Sequence, residues 1–272
     1  MTTIGTTEPL RLRHEVKHQL SPQEDLVLAS RLGKLFPRDG HAGPDGSYRV
    51  TSLYFDTPYD TALREKLDGV DRREKFRLRY YGASPAFLKL EKKYKVNGLC
   101  GKRSARLTLE EAERLLAGED AFLLERGEPL LSELYHKLRG TLLRPRTVVC
   151  YDREAFLYAP GNVRVTLDRN LRTCGDSAGF LSPAGFPLKP LDGVTVLEVK
   201  YDAFLPDLVR LADRIEQCEG YTPDMKLWLS DNEWPVTEDR TLGDLTGLSG
   251  MGGMKLFDWL HYRNDFMYLF GL

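Results

Sequence analysis

The sequence predicts an α+β protein built around an antiparallel β-sheet. Three observations carry that expectation. Segments alternating apolar and polar residues recur along the chain, helix signals fall mostly in the longer connections between them, and no solenoid repeat or low-complexity tract interrupts the pattern. The 272 residues suffice for a buried core, and 42% hydrophobic with 29% charged residues excludes disorder and collagen-like repeats. One domain over 10–238 is the simplest parse, preceded by a disordered N-terminus at 1–9 and followed at 239–272 by a Gly-rich linker and an apolar, aromatic tail.

The elements follow in order. Leu10–His18 alternates as a strand. Ser21-Pro22-Gln23-Glu24 is a capping box with proline at the first helical position, opening a helix to about Leu35 before Pro37. Tyr48–Phe55 is a strand and Pro58–Leu67 a short helix; Lys75–Tyr81 and Phe87–Lys95 are strands, the second ending in a hairpin turn at Gly98–Gly101. Thr108-Leu-Glu-Glu opens a helix that Gly118 stops, and Pro129–Leu138 is amphipathic, with Leu130, Leu131, Leu134 and Leu138 on one side. Strands at Thr147–Phe156, Val163–Asp168 and Val194–Tyr201 surround a loop at Asn170–Gly193; a helix at Pro206–Cys218 and a short strand at Lys226–Leu229 complete the set of about eight strands.

Several function classes are excluded or unsupported. No apolar run approaches the ~18 residues of a membrane span, and the first residues lack the basic and apolar regions of a signal peptide. Cys100, Cys150, Cys174 and Cys218 never form a C-x-x-C pair, which argues against zinc and a disulfide framework and fits a reducing cytoplasm. No P-loop, G-x-G-x-x-G, G-x-S-x-G or Ser-His-Asp order is present. His14 and His18 share the strand face opposite the charged one and read as structural or surface residues; His41, His136 and His261 are isolated.

Charge is segregated. Asp71–Arg106 holds twelve Lys or Arg against three acids in a chain whose net charge is −1. Converging cations concentrate anionic ligands, so a focused anion site stands against the plainer reading of a solvated basic surface. Strand parity bears on that choice, because residues two apart point the same way. Arg13, Glu15 and Lys17 share a face; so do Arg77 and Arg79; Lys89, Glu91, Lys93 and Lys95; Arg164, Thr166 and Asp168; and Glu198 and Lys200. Arg153 sits between Tyr151 and Phe156. A half-buried sheet with a wet outer face gives such stripes too, but it would also use Thr, Ser, Gln and Asn freely. With Lys102 and Arg103 added, the cations far outnumber the three glutamates of these stripes, and so self-repelling a set calls for a polyanion. If the sheet curls, the apolar stripes pack against helices outside and the charges line a lumen suited to phosphates, with glutamates left for a divalent metal.

Seven segments then occur in order: Arg13-His-Glu-Val-Lys17, Ser52-Leu-Tyr-Phe-Asp56, Lys75-Phe-Arg-Leu-Arg79, Leu90-Glu-Lys-Lys93, Tyr151-Asp-Arg153, Val163-Arg-Val-Thr-Leu-Asp168 and Leu197-Glu-Val-Lys200. Over roughly residues 10 to 232 the chain resembles the VTC domain, the polyphosphate polymerase domain of the triphosphate tunnel metalloenzyme superfamily. The resemblance implies an eight-stranded antiparallel β tunnel, a closed barrel with a charged lumen and helices packed outside. It implies catalytic cations at Arg77, Arg79, Lys93, Arg153, Arg164 and Lys200, and phosphate-binding cations at Arg13, Lys17, Lys89, Lys102, Arg103 and Lys226. Glu198 matches the family's metal-binding glutamate, for manganese or magnesium, with Glu15 and Glu91 as second candidates or as partners that hold lysines straight.

The implied reaction is phosphoryl transfer from a nucleoside triphosphate to a polyphosphate chain, by positioning and charge neutralisation. Relatives that hydrolyse or cyclise open with Glu-x-Glu-x-Lys; Arg13 stands at the first glutamate here, which favours polyphosphate over a two-carboxylate metal site. One departure is Pro223–Ser230, where the family's last strand carries Ser-Lys-Tyr and only Lys226 is cationic; this keeps a polyphosphate or inositol-phosphate binding module, and a triphosphatase, as alternatives. Single-stranded nucleic acid is disfavoured, because Phe76, Tyr80 and Tyr94 share the face opposite the cations. The tail, with Leu256, Trp259, Leu260, Met267 and Phe270 near helical spacing, is expected to pack on the domain or a partner copy, or to dock on a protein or membrane protein.

Overall fold

The computed structural model describes residues 12–182, 188–190 and 193–213. Strand β1 (His14–Leu20) enters helix α1 (Pro22–Leu35) through the Ser21 capping box: Ser21 N–H donates to the Glu24 carboxylate at 2.8 Å and Glu24 N–H to Ser21 Oγ at 3.3 Å. Strand β2 (Ser47–Asp56) ends in Asp56, whose buried carboxylate accepts the N–H groups of Thr57, Ala62 and Leu63 and so fixes helix α2 (Thr61–Leu67) against the strand. Strands β3 (Arg73–Tyr81), β4 (Leu88–Val96) and β5 (Leu99–Leu107) follow, then α3 (Leu109–Leu116), α4 (Phe122–Glu125) and α5 (Pro129–Gly140). Strand β6 (Arg144–Tyr158) pairs with β7 (Val163–Cys174); β8 (Lys189–Pro190), β9 (Thr195–Tyr201) and α6 (Asp207–Asp213) complete the described chain.

The β4–β5 hairpin turns through Asn97 and Gly98, both with positive φ (51° and 76°), the type I′ geometry that matches strand twist. Asp71 accepts both turn amides, at 2.8 and 2.9 Å, which ties the hairpin tip to the start of β3.

All named pairings are antiparallel, and the strand order is β1-β9-β7-β6-β2-β3-β4-β5, with β8 beside β7. The sheet curls: Lys93 on β4 reaches Glu15 on β1 at 3.1 Å, although those strands stand near opposite ends of that order. The edges β1 and β5 nevertheless meet at a single isolated bridge. Arg13 N–H donates to Cys100 C=O at 3.0 Å and Cys100 N–H to Arg13 C=O at 2.9 Å, so among the described residues no ladder closes the barrel.

The apolar stripes face outward, as parity predicted. On one side Leu53, Phe55, Phe76, Leu78, Leu88 and Leu90 pack under α3, α4 and α5; on the other Val163, Val165, Leu167, Leu197 and Val199 pack under α1 and α6. Asp25 of α1 binds Arg169 at 2.6 and 2.7 Å and accepts from Thr195 Oγ1 at 3.0 Å, anchoring that helix to β7 and β9.

Three expectations change. The path includes β5, a strand the sequence reading lacks, while Lys226–Leu229, expected as a strand, lies outside the described residues along with the tail, the N-terminus and the end of the last helix. β7 continues to Cys174 through a stretch read as loop, because Asn170, at φ 49°, forms an irregularity in the strand instead of ending it. Among the described residues the expected closed barrel is not completed, its edges touching at one residue pair.

Candidate anion-binding site

Curling turns the charged stripes onto one inner face. A cavity there, of about 30 Å³, is lined by Lys17, Lys75, Arg77, Arg79, Lys93, Arg153 and Lys200 against Asp168 and Glu198. Glu15 and Glu91 stand beside these cations, so four carboxylates meet seven cations and the inner face keeps a positive excess. Such a volume holds only a couple of waters.

Two buried glutamates organise the cations. Glu91, fully buried, accepts from Arg77 Nε at 2.7 Å and from Lys102 Nζ at 2.8 Å, with Arg77 Nη2 at 2.6 Å and Arg79 Nη1 at 3.8 Å. Burial raises its pKa, but Arg77, Arg79 and Lys102 outweigh that and hold the carboxyl well below the usual range. Glu198, 2% exposed, pairs with Lys200 and with Lys17 at 2.9 Å, and has Arg153 at 3.9 Å. It too is held well below the carboxylate range by Lys17, Lys200 and Arg153 against burial. In Glu15, burial and Glu198 push the pKa up, yet Lys93, Lys200 and Lys17 bring it to about 2.

Arg153 makes a bidentate pair with Asp168 at 2.6 and 2.7 Å. Arg79 donates to Ser52 Oγ at 2.8 Å and to the Tyr151 hydroxyl at 3.0 Å; Arg77 donates to the Tyr54 hydroxyl at 3.1 Å. These tyrosines join the candidate site and are not among the residues singled out from sequence. Burial alone would raise Tyr54, but Arg77, Lys75 and Arg79 bring its phenol down to about 7. Burial takes Tyr151 the other way, to about 12. Lys75, whose Nζ stands 5.3 Å from the Tyr54 ring centroid, is pushed down to about 7 by burial and by Lys93, Lys17 and Arg77.

The other sequence candidates distribute around this centre. Arg164, partly exposed, donates to Asp39 at 2.6 Å and to the Tyr48 hydroxyl at 2.7 Å. Arg13 sits beyond β1, paired with Asp202 at 2.9 Å. Lys89 lies over the rings of Tyr81 and Phe87, at 5.8 and 5.5 Å. Lys102 reaches Glu91 from β5. Arg103, of opposite parity, is not brought to the inner face: it lies 3.9 Å from Glu133 on α5. Lys226 lies outside the described residues.

For a divalent metal, no group of three or more His, Cys, Asp or Glu side chains converges among the described residues. Glu15 and Glu198 are ionised neighbours on paired strands, where Lys17 opposes Glu198 and Glu15 opposes Lys200. One or two carboxylates completed by phosphate oxygens and water are the donor set magnesium or manganese takes, and here both are paired with Lys17, Lys93 or Lys200. Outside the site, Cys100, Cys150 and Cys174 are free thiols, and no described helix is long and apolar enough to cross a membrane.

An antiparallel sheet that turns Arg, Lys and Glu stripes inward, with its apolar stripes under helices, defines an anion-binding fold of the triphosphate tunnel kind. The VTC domain model matches residues 12–222, and the chain belongs to that family. No curated protein matches it. Among solved structures, a Bacillus halodurans protein provisionally named an adenylate cyclase is similar at 13% identity and a TM-score of 0.44, over 77% of this chain and 89% of that one. The PH1012 protein of Pyrococcus horikoshii is similar at 11% identity and a TM-score of 0.39, over 76% and 90%. A chain of the Schizosaccharomyces pombe Mediator head module is similar at 9% identity and a TM-score of 0.41, over 81% and 96%. Likenesses at this level carry no functional argument, and the assignment rests on the VTC match.

Proposed function

We propose that this protein is a metal-dependent polyphosphate polymerase that transfers the γ-phosphate of a nucleoside triphosphate to a growing polyphosphate chain within a cationic tunnel. The observation that carries the reading is the set of seven buried and half-buried cations on the inner face, more than its carboxylates can neutralise. A terminal oxygen of the chain attacks the γ-phosphorus, the new P–O bond forms as the bond to the leaving nucleoside diphosphate breaks, and no covalent protein intermediate is needed. Arg77 and Arg79, aimed by Glu91, Ser52 and two tyrosine hydroxyls, bind and orient the transferred group. Lys93, Lys200, Lys17 and Arg153 exchange carboxylate partners for phosphate oxygens and hold the chain in line. Glu198 and Glu15 would hold manganese or magnesium, which supplies charge neutralisation on phosphate oxygens.

A non-catalytic polyphosphate-binding module is the second reading, favoured because Glu15, Glu91 and Glu198 are each already engaged by two or more cations. Purified protein incubated with ATP and Mn²⁺, beside Glu198→Gln and Lys200→Ala variants, separates the readings on a gel stained for polyphosphate. Long chains from the unsubstituted protein alone are expected. Orthophosphate without chains would make it a triphosphatase, and polyphosphate binding without turnover would leave the module.

A further inference from the structure

A second cavity, of about 70 Å³, adjoins the central one, and Lys75 and Lys93 line both. Its roof is α2, which contributes Ala62, Leu63 and Lys66. Lys66 is nine-tenths buried, and its Nζ has no hydrogen-bond partner among the described residues. Burying an ammonium without a partner is costly, and the neighbours here raise that cost. Lys75 and Arg73 of β3, Lys95 of β4 and Lys17 of β1 all oppose its charge, and with burial they push Lys66 down to about 6.

The two carboxylates on the cavity wall are already taken. Glu15 holds Lys93 at 3.1 Å and Lys17 at 3.5 Å; Glu74 holds Lys92 at 2.5 Å and Lys137 at 2.7 Å. The helix that carries Lys66 is not loosely placed, because Asp56 grips its first turn through the amides of Ala62 and Leu63. The fold therefore holds a desolvated, unpartnered amine that a counter-charge would make cationic, in a space with room for about five waters or one phosphate group.

We propose that the cavity under α2 is a second anion subsite, which takes a phosphate group of the polyanion bound at the central cluster and has Lys66 as its dedicated ligand. This rests on the phosphate-binding reading of the central site. An entering phosphate supplies the counter-charge the protein withholds, so a chain long enough to span both cavities binds more tightly than one confined to the first.

Isothermal titration of the full chain with pyrophosphate and with a longer linear polyphosphate, using the unsubstituted protein, K66M and K66R, tests this. K66M is expected to lose about tenfold in affinity for the long chain, one phosphate contact's worth, with pyrophosphate affinity kept within about twofold; K66R keeps both. K66M is also expected to melt higher than the unsubstituted protein without anion, since the fold no longer buries an amine without a partner. Equal long-chain affinity in K66M, or an equal loss for pyrophosphate, overturns the subsite. If the unsubstituted protein binds neither ligand, the central reading itself fails, which is a different result from the first two. Should K66M not fold, K66Q with the same ligands gives the same discrimination.

Discussion

Glu91 is the keystone of the cation cluster, and its isosteric replacement by glutamine shows how far the site's arginines depend on it. In the folded protein its carboxylate is fully buried, with Arg77 on it through Nε at 2.7 Å and Nη2 at 2.6 Å and Lys102 at 2.8 Å. Removing one partner of a buried ion pair costs about 3–5 kcal/mol because the other charge is left uncompensated. Lys102 is half exposed and adds little to that figure, so Arg77 dominates it. For a domain of this size the loss corresponds to a fall of roughly 10 °C in Tm. Glu91 also competes with any anion for Arg77, so Glu91→Gln is expected to bind tripolyphosphate more tightly and to recover most of its lost stability on saturation. Denaturant titration with and without tripolyphosphate reads both quantities. A variant that matches the unsubstituted protein in stability and in affinity would show that Glu91 neither holds Arg77 nor guards it, and the account of the cluster would be wrong.

Two further outcomes follow from the inner-face titrations. The Tyr54 phenol, at about 7 in the folded state against 10.0 in its ordinary state, gives the fold a contribution that is complete above pH 10 and is lost as pH falls through 7. Tyrosinate absorbance rising near neutrality in the native protein, and absent from Tyr54→Phe, is the expected signature; a first tyrosinate appearing only near pH 10 would refute it. Lys75, lowered to about 7, must be cationic to serve an anion, so polyphosphate affinity is expected to weaken as pH rises above 7. Lys75→Met should flatten that slope, and a slope unchanged by the substitution would assign the titration to another group.

The parts of the fold that were legible in sequence are those where parity is clean. Arg77 and Arg79 against Phe76 and Leu78, or Glu198 and Lys200 against Leu197 and Val199, assign both faces of a strand without ambiguity. β5 escaped because its buried positions are Gly101, Ala105 and Leu107, and small residues leave almost no apolar rhythm. Gly101 is small for a packing reason: a Cβ there would stand 2.3 Å from the Tyr94 ring. β7 was cut short because Arg169-Asn170 has the composition of a turn while the chain uses it within a strand. In the site, Tyr54 and Tyr151 were not singled out as site residues, and they also pack with Val50, Val149 and Val196. Their parity with Ser52 and Arg153 was the available signal, since Arg79 joins Ser52 and Tyr151. The carboxylates that hold Arg164 and Arg169 come from Asp39 and Asp25, more than a hundred residues earlier, and nothing local announces such partners.

The lone bridge between Arg13 and Cys100 has a mechanical consequence. Two main-chain hydrogen bonds join the outermost strands there, while the ion pair of Lys93 with Glu15 spans the same boundary through side chains. Among the described residues this edge is the most sparsely paired, and its amides are expected to exchange with solvent before those of the laddered strands. A polyanion gripping Lys93 on one flank and Lys17 and Lys200 on the other lies across that boundary like a clasp. A bound polyanion is therefore expected to slow amide exchange along this boundary, which the same measurement with and without tripolyphosphate reads.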